Sequence, residues 1–272
     1  MSYLQSIILG LVQGLTEFLP VSSSGHLAIL KNLFGGDFFE SGVTFDIMLH
    51  LGTLLAVLAV YYKDIWMLIK EFISLICDIF KRDFKIKTPY RRLLLMLMAG
   101  SIPAAIFGIL IDEFVDKIAG QYLWMVGLFL FVTAALLYIS DRVSPGDKTM
   151  RDLKLGDALF IGAFQAIAIL PGISRSGSTI TGGLLSGLKR SFAVKFSFLL
   201  SIPAILGAAI LKLPKADGIP VGPAVLGVII AAISGFVAIK VLLRLVKKKK
   251  FTYFAYYCAG LGLITVILGI FR

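Results

Sequence analysis

A chain of 272 residues that is 58% hydrophobic and only 16% charged, with a mean hydropathy of +0.93, lies far from the composition of a soluble domain, in which about a quarter of residues are charged. That excludes a water-soluble globular enzyme and leaves a polytopic membrane protein. The net charge of +11 does not signal nucleic acid, because the excess sits in short runs beside apolar segments, at Lys81-Arg82, Arg91-Arg92 and Lys247 to Lys250, as it does in loops held at a cytoplasmic membrane face.

The chain opens without a Lys or Arg before Lys31. The basic n-region of a cleavable signal peptide is thus missing, and the N-terminus is expected to stay in the mature fold. A helix needs ~20 apolar residues to cross ~30 Å of hydrocarbon. The segments 4–19 and 23–34 fall short of that and are broken between them by Pro20 and a Ser/Gly turn. They read as a re-entrant pair, entering and leaving on one side, which survives only where protein or a wet cavity covers the broken backbone. Segment 43–62 is long enough to span. Residues 63–80 alternate charge and bulk at helical spacing and are expected to form an amphipathic helix at the interface. Spans follow at 92–112 and 121–140. A second short pair, 155–170 and 175–188, breaks at Pro171. The last three spans are 193–213, 219–243 and 252–271. Cys77 and Cys258 lie in separate apolar segments with no metal or redox spacing and read as packing or lipid-facing residues.

Positive residues set the orientation. The loops before segment 92, after segment 140 and before the last span are basic and belong inside; 113–120 and 212–218 belong outside. The first half then runs as a re-entrant pair from outside with three spans, and the second half as its mirror. A single integral membrane domain of inverted repeats, about 1–140 and 154–272, is the simplest account. Phe45-Asp-Ile-Met-Leu-His-Leu-Gly-Thr follows the first pair much as Phe192-Ala-Val-Lys-Phe-Ser-Phe follows the second. The Ser-Ile-Pro-Ala string at 101 and at 201 occupies different places in the two halves and has no account in this scheme.

The candidate chemistry sits in the two turns. Ionisable groups at membrane depth are expensive and mark function, and the first pair carries Gln13, Glu17, Ser22, Ser23, Ser24 and His26 within an apolar sequence. The second carries Ser174, Arg175, Ser176 and Thr179. Inverted symmetry would bring both turns to the midplane. Two helix N-termini there offer free amides and about +0.5 of an elementary charge each, suited to an anion, and the fork of Arg175 matches phosphate oxygens. Glu17 lies one helical turn from Gln13 on the same face. The Ser22 to Ser24 hydroxyls, His26 and Glu17 can supply nucleophile, base and orienting group for phosphoryl hydrolysis. Ser23, His26 and water all stand as candidate attackers.

The strings Gln13-x-x-x-Glu17, Val21-Ser-Ser-Ser-Gly-His26 and Pro171-Gly-x-Ser-Arg-Ser-x-x-Thr179 resemble the two signature motifs of the undecaprenyl-diphosphate phosphatase family linked to bacitracin resistance, and the resemblance covers nearly the whole chain. It implies hydrolysis of undecaprenyl diphosphate to undecaprenyl phosphate and inorganic phosphate for cell-wall synthesis. It also implies a bacterial inner-membrane location and an active site open to the outer face. By that resemblance Glu17, Ser23, His26, Ser174 and Arg175 are active-site positions. Family members carry Glu or Gln at the first motif position; with Gln13 here, no tightly bound cofactor is expected, and Mg²⁺ or Ca²⁺ bridging Glu17 and the diphosphate is the cation that fits. The expected partners are a polyprenyl diphosphate, whose tail leaves sideways between helices, and membrane lipid, with no nucleic acid and homo-oligomerisation left open.

Simpler readings stand beside these. The serines could serve helix packing, Arg175 could be a structural partner of Glu17, and His50 with Asp46 reads as a packed hydrogen-bonded pair. Asp112 and Glu113 read as solvated at a helix end. The functional rival is a secondary transporter or lipid flippase, since inverted repeats with broken helices also build alternating-access carriers.

Overall fold

The computed structural model describes residues 2–33, 42–83, 85–144, 146–212, 214, 218, 220–246 and 250–271. Among these the chain is all-helical, with eleven helices. They are α1 (Tyr3–Phe18), α2 (Ser23–Leu33), α3 (Val43–Val60), α4 (Tyr62–Phe80), α5 (Pro89–Gln121), α6 (Leu123–Arg142), α7 (Leu155–Ile167), α8 (Arg175–Leu185), α9 (Arg190–Lys212), α10 (Val221–Val246) and α11 (Phe251–Ile270). Six of them, α3, α5, α6, α9, α10 and α11, are long and apolar enough to cross a membrane. Their outer faces carry large exposed apolar side chains such as Ile109, Leu110, Ile210 and Ile233. In water such a surface would aggregate; in lipid it is the solvent-facing surface. The protein is a multi-pass membrane protein.

Helix boundaries follow local chemistry. Ser2 caps α1, accepting from Gln5 N at 3.2 Å. Thr88 caps α5, accepting from Arg91 N at 3.0 Å, with Pro89 at the first helical position. One sequence expectation fails here: 113–120, read as an outside loop, is the continuation of α5, a helix of 33 residues ending at Gln121. Its acidic residues are punctuated by Ile111, Phe114, Val115 and Ile118, and the buried Ile118 is in contact with Val126 and Ala28 in a small cluster, so the helix has an apolar side to continue on. The basic run Lys247 to Lys249 and most of the 212–218 connection lie outside the described residues.

Helix α4 is amphipathic as expected, with its polar side turned inward. Arg91 of α5, 1% exposed, donates from Nε to Glu71 at 3.0 Å and from Nη2 to Asp78 and Ser74, each at 2.9 Å. Thr88 donates to Glu71 at 2.6 Å. Trp66, Phe72, Ile73, Ile76 and Ile79 face outward. A buried guanidinium is tolerable only with this degree of pairing, and the network clamps α4 to the start of α5.

The two short pairs are gripped by long helices from the other half of the chain. Helix α1 packs on α10, and α7 packs on α5. Both contacts need bare backbone. A Cβ on Gly14 would collide with Ser234 Oγ, and one on Gly162 with the Gly100 carbonyl. A glycine here permits the close approach that small residues give to membrane helices. Other packed pairs include α6 with α11, α3 with α10 and α8 with α9. Cys258 is buried beside the Pro20 carbonyl, 3.8 Å away, and Cys77 is exposed, which matches the packing and lipid-facing roles read from sequence.

Candidate active site

Both breaks are built alike. Gln13 precedes Ser22 by the same nine residues that separate Gln165 from Ser174. Counted from those glutamines, Ser24 matches Ser176 and Gly25 matches Gly177. Ser22 Oγ accepts from Gly25 N at 3.2 Å, and Ser174 Oγ accepts from Gly177 N at 3.1 Å. Ser22 Oγ is 3.3 Å from Ser24 Oγ, and Ser174 Oγ is 3.2 Å from Ser176 Oγ. Each turn therefore starts the helix that follows it with a serine cap whose hydroxyl meets a second serine. The first turn holds Ser22 at φ +69°, a left-handed conformation that costs a non-glycine residue about 1–3 kcal/mol and gathers at functional sites. The second turn places its positive φ, +104°, at Gly172, where a Cβ would strike the Val126 carbonyl.

At Glu17, in the last turn of α1, the two breaks meet. Its Oε1 accepts from Arg175 Nη2 at 2.7 Å. Its Oε2 accepts from Ser23 Oγ at 2.7 Å and from Gln13 Nε2 at 3.0 Å. His50 Nε2 lies 3.8 Å from the same oxygen. Glu17 is buried, and a buried carboxylate facing a guanidinium and two neutral donors is satisfied rather than stranded. Arg175 Nη1 and Gln13 Oε1, both buried, have no protein partner. A guanidinium with one nitrogen on the carboxylate and its neighbour unpaired is set to take an oxyanion on its second prong.

The remaining residues divide. Ser24 is exposed. His26 donates from Nδ1 to the Ser22 carbonyl at 2.8 Å and has Nε2 2.7 Å from the Tyr257 hydroxyl. Ser174, Ser176 and Thr179, by contrast, turn their hydroxyls into the protein. Ser174 Oγ serves as cap, and Ser176 Oγ donates to the Leu19 carbonyl at 3.3 Å. Thr179 Oγ1 donates to the Arg175 carbonyl at 2.8 Å and lies 2.6 Å from Ser197 Oγ. Each of these hydroxyls is committed to a neighbour and braces the turn; the groups at the start of α8 left without a protein partner are Arg175 Nη1 and the first-turn amides that the cap does not take.

Sequence reasoning missed three residues. Thr133 of α6 donates to the Gly172 carbonyl at 2.8 Å and accepts from Ser174 N at 2.9 Å, which ties the second turn to a span. His50 bonds Asp46 as the sequence suggests, Nδ1 donating to its backbone carbonyl at 2.8 Å while the Asp46 carboxylate pairs with Lys31 at 2.8 Å; the feature missed is its Nε2, 3.8 Å from Glu17 Oε2. Being one of two histidines in an apolar chain was a usable signal. Tyr257 had none, lying among Tyr253 and Tyr256 in an apolar helix.

The match to known proteins covers the site and the scaffold together. A family profile described as "Bacitracin resistance protein BacA" matches residues 6–264. This chain belongs to the BacA family. Similar BacA-type proteins include the undecaprenyl-diphosphatase of Methanosphaera stadtmanae, 44% identical over 275 residues and 98% of each chain. That of Methanobrevibacter smithii is 45% identical over 270 residues, covering 97% of this chain and 96% of the relative. That of Alkaliphilus metalliredigens is 41% identical over 277 residues, covering 99% and 100%. In the BacA scaffold seen here, residues 158 positions apart in sequence share one carboxylate.

Proposed function

We propose that this protein hydrolyses undecaprenyl diphosphate to undecaprenyl phosphate and inorganic phosphate, recycling the lipid carrier of cell-wall synthesis. Membership of the BacA family and relatives at 41–45% identity named undecaprenyl-diphosphatase support the reaction. The single observation that carries the chemistry is Glu17 held between Arg175 and Ser23.

In this reading Arg175 Nη1 and the first-turn amides of α2 and α8 that the serine caps leave free bind the terminal phosphoryl group. Ser23 Oγ attacks its phosphorus and gives its proton to Glu17 Oε2, the oxygen it already bonds. The bond from phosphorus to the bridging oxygen breaks and undecaprenyl phosphate leaves. Water then attacks phosphoserine, phosphate departs and Glu17 returns the proton to Ser23. Ser23 is preferred to His26 as attacker because it is the hydroxyl already bonded to the carboxylate, whereas both ring nitrogens of His26 are engaged elsewhere.

The residues present do not fit a resident divalent ion. Glu17 is the one carboxylate bonded to the motif residues and its oxygens are held by donors, and among the described residues no three His, Cys, Asp or Glu side chains converge. No step here runs through a metal; Mg²⁺ or Ca²⁺ would arrive as the counter-ion of the diphosphate.

The architecture proposed is one domain of two inverted repeats, about 1–140 and 154–272, each opened by a re-entrant pair, in the inner membrane with the site facing out. The matched turns, and the exchange by which α1 packs on α10 and α7 on α5, support it. Purified protein in detergent should release inorganic phosphate from a prenyl diphosphate. Absence of release, together with movement of the lipid across sealed vesicles, would show a carrier instead.

A further inference from the structure

Both ring nitrogens of His26 are occupied, and this fixes its chemistry. The Ser22 carbonyl oxygen, 2.8 Å from Nδ1, can only accept, so Nδ1 carries the proton. In the neutral ring Nε2 is then the lone-pair nitrogen, and the Tyr257 hydroxyl, 2.7 Å away, donates to it. The two rings also stack, at 9° between planes and 5.7 Å between centroids, so Tyr257 of α11 sets both the tilt and the hydrogen bonding of the imidazole. Tyr257 is about half exposed, at 49%, and His26 sits three residues after Ser23, on the same face of α2. Tyr257 Oη therefore covers the one ring nitrogen of His26 that could accept a proton.

We propose that Tyr257 is a proton-relay residue, coupling the water that attacks phosphoserine to His26; the role rests on the Ser23 reading above. As water attacks phosphorus, its proton goes to Tyr257 Oη and the phenolic proton moves to His26 Nε2, giving an imidazolium whose Nδ1–H stays on the Ser22 carbonyl. The phosphorus–Oγ bond breaks, phosphate leaves, and the protons return along the same pair to phosphate or solvent. No oxidant or further reactant is needed. The arrangement differs from a histidine base working alone: the imidazole is held with its proton toward the backbone and its lone pair toward a phenol, so the phenol is the group that meets water.

The test compares Tyr257→Phe, which keeps the stacked ring and removes the oxygen, with wild type, His26→Asn, the Tyr257→Phe/His26→Asn pair and Ser23→Ala, all as full-length protein in detergent with a prenyl diphosphate. The relay predicts that Tyr257→Phe lowers kcat by roughly a hundredfold, the range of a lost proton-transfer group, with KM within threefold. It also predicts that the double variant is no slower than the slower single one, because the two side chains act as a unit. In [¹⁵N]histidine spectra, where His50 is the internal reference, Tyr257→Phe should shift the His26 Nε2 resonance and leave Nδ1 in place. A kcat within twofold of wild type, multiplicative losses in the double variant, or an unmoved Nε2 resonance each overturns the relay. Ser23→Ala separates the two failures: turnover surviving in that variant defeats the serine reading, whereas an inactive Ser23→Ala beside a fully active Tyr257→Phe defeats the relay alone.

Discussion

The two turns are the same piece of backbone used for two purposes. At Ser22 and at Ser174 a serine caps the following helix, a second serine sits two residues on, and a glycine follows. Where the first turn carries Ser23 and His26, the second carries Arg175 and Ser178. The first places its hydroxyl on Glu17 and leaves Ser24 exposed. The second buries Ser174, Ser176 and Thr179 and sends out only Arg175. One turn geometry, present twice, thus brings a hydroxyl to Glu17 from one copy and a guanidinium from the other. The difference teaches that the side chain just after the cap decides what each turn presents to Glu17, while the cap itself builds the turn.

That division can be broken in order of severity. Arg175→Ala and Glu17→Ala remove the point where the copies meet, and each should lower turnover about a hundredfold or more, the loss typical of one charge-stabilising group; near-normal phosphate release in either variant removes that residue from the mechanism. His50→Gln takes away a partly exposed neighbour of Glu17, and a loss of roughly tenfold or less is expected, the size of one polar contact. Ser174→Ala deletes a cap and should cost about 1 kcal/mol of stability, read as a melting temperature lower by a few degrees with most turnover kept. If Ser174→Ala were instead as inactive as Ser23→Ala, the two turns would share their chemistry after all.

The smallest effect lies away from the turns, where α4 is clamped. Hydrogen bonds from the Lys87 ammonium and then from Arg91 hold the Asp78 carboxyl below the ordinary carboxylate range. A carboxyl with a lowered folded-state pKa contributes stability that is fully present above its unfolded value and is lost as pH falls through the lowered one. Amide exchange in residues 62–80 should therefore be unchanged from neutral pH down to about 4, the ordinary carboxylate value, and quicken below it relative to exchange in α9.

Much of this molecule was legible in its sequence because lipid imposes length. The six spans were found at the right places by counting apolar residues, and the short pairs by their failure to reach that length. The extension of α5 through 113–120 was missed because Asp112, Glu113, Asp116 and Lys117 look like a loop, whereas the apolar residues between them keep helical spacing. Glu17, Ser23 and Arg175 were legible because charge and hydroxyl clusters are conspicuous in an apolar chain. The turned-in hydroxyls of Ser174, Ser176 and Thr179 were not, since sequence gives a residue's place in a turn but not which way its oxygen faces. Tyr257 was illegible for another reason: its partner is 231 positions away, and only the packing of α2 near α11 pairs them.

The decisive measurement is the site of covalent phosphorylation. Rapid acid quench of the wild-type protein with prenyl diphosphate labelled in its terminal phosphate should leave acid-stable label on the peptide containing Ser23, and none in Ser23→Ala. Label retained after a parallel alkaline quench but lost in acid, as on a phosphorylated His26, or undiminished phosphate release by Ser23→Ala, would contradict a serine activated by the carboxylate that Arg175 holds from the other half of the chain.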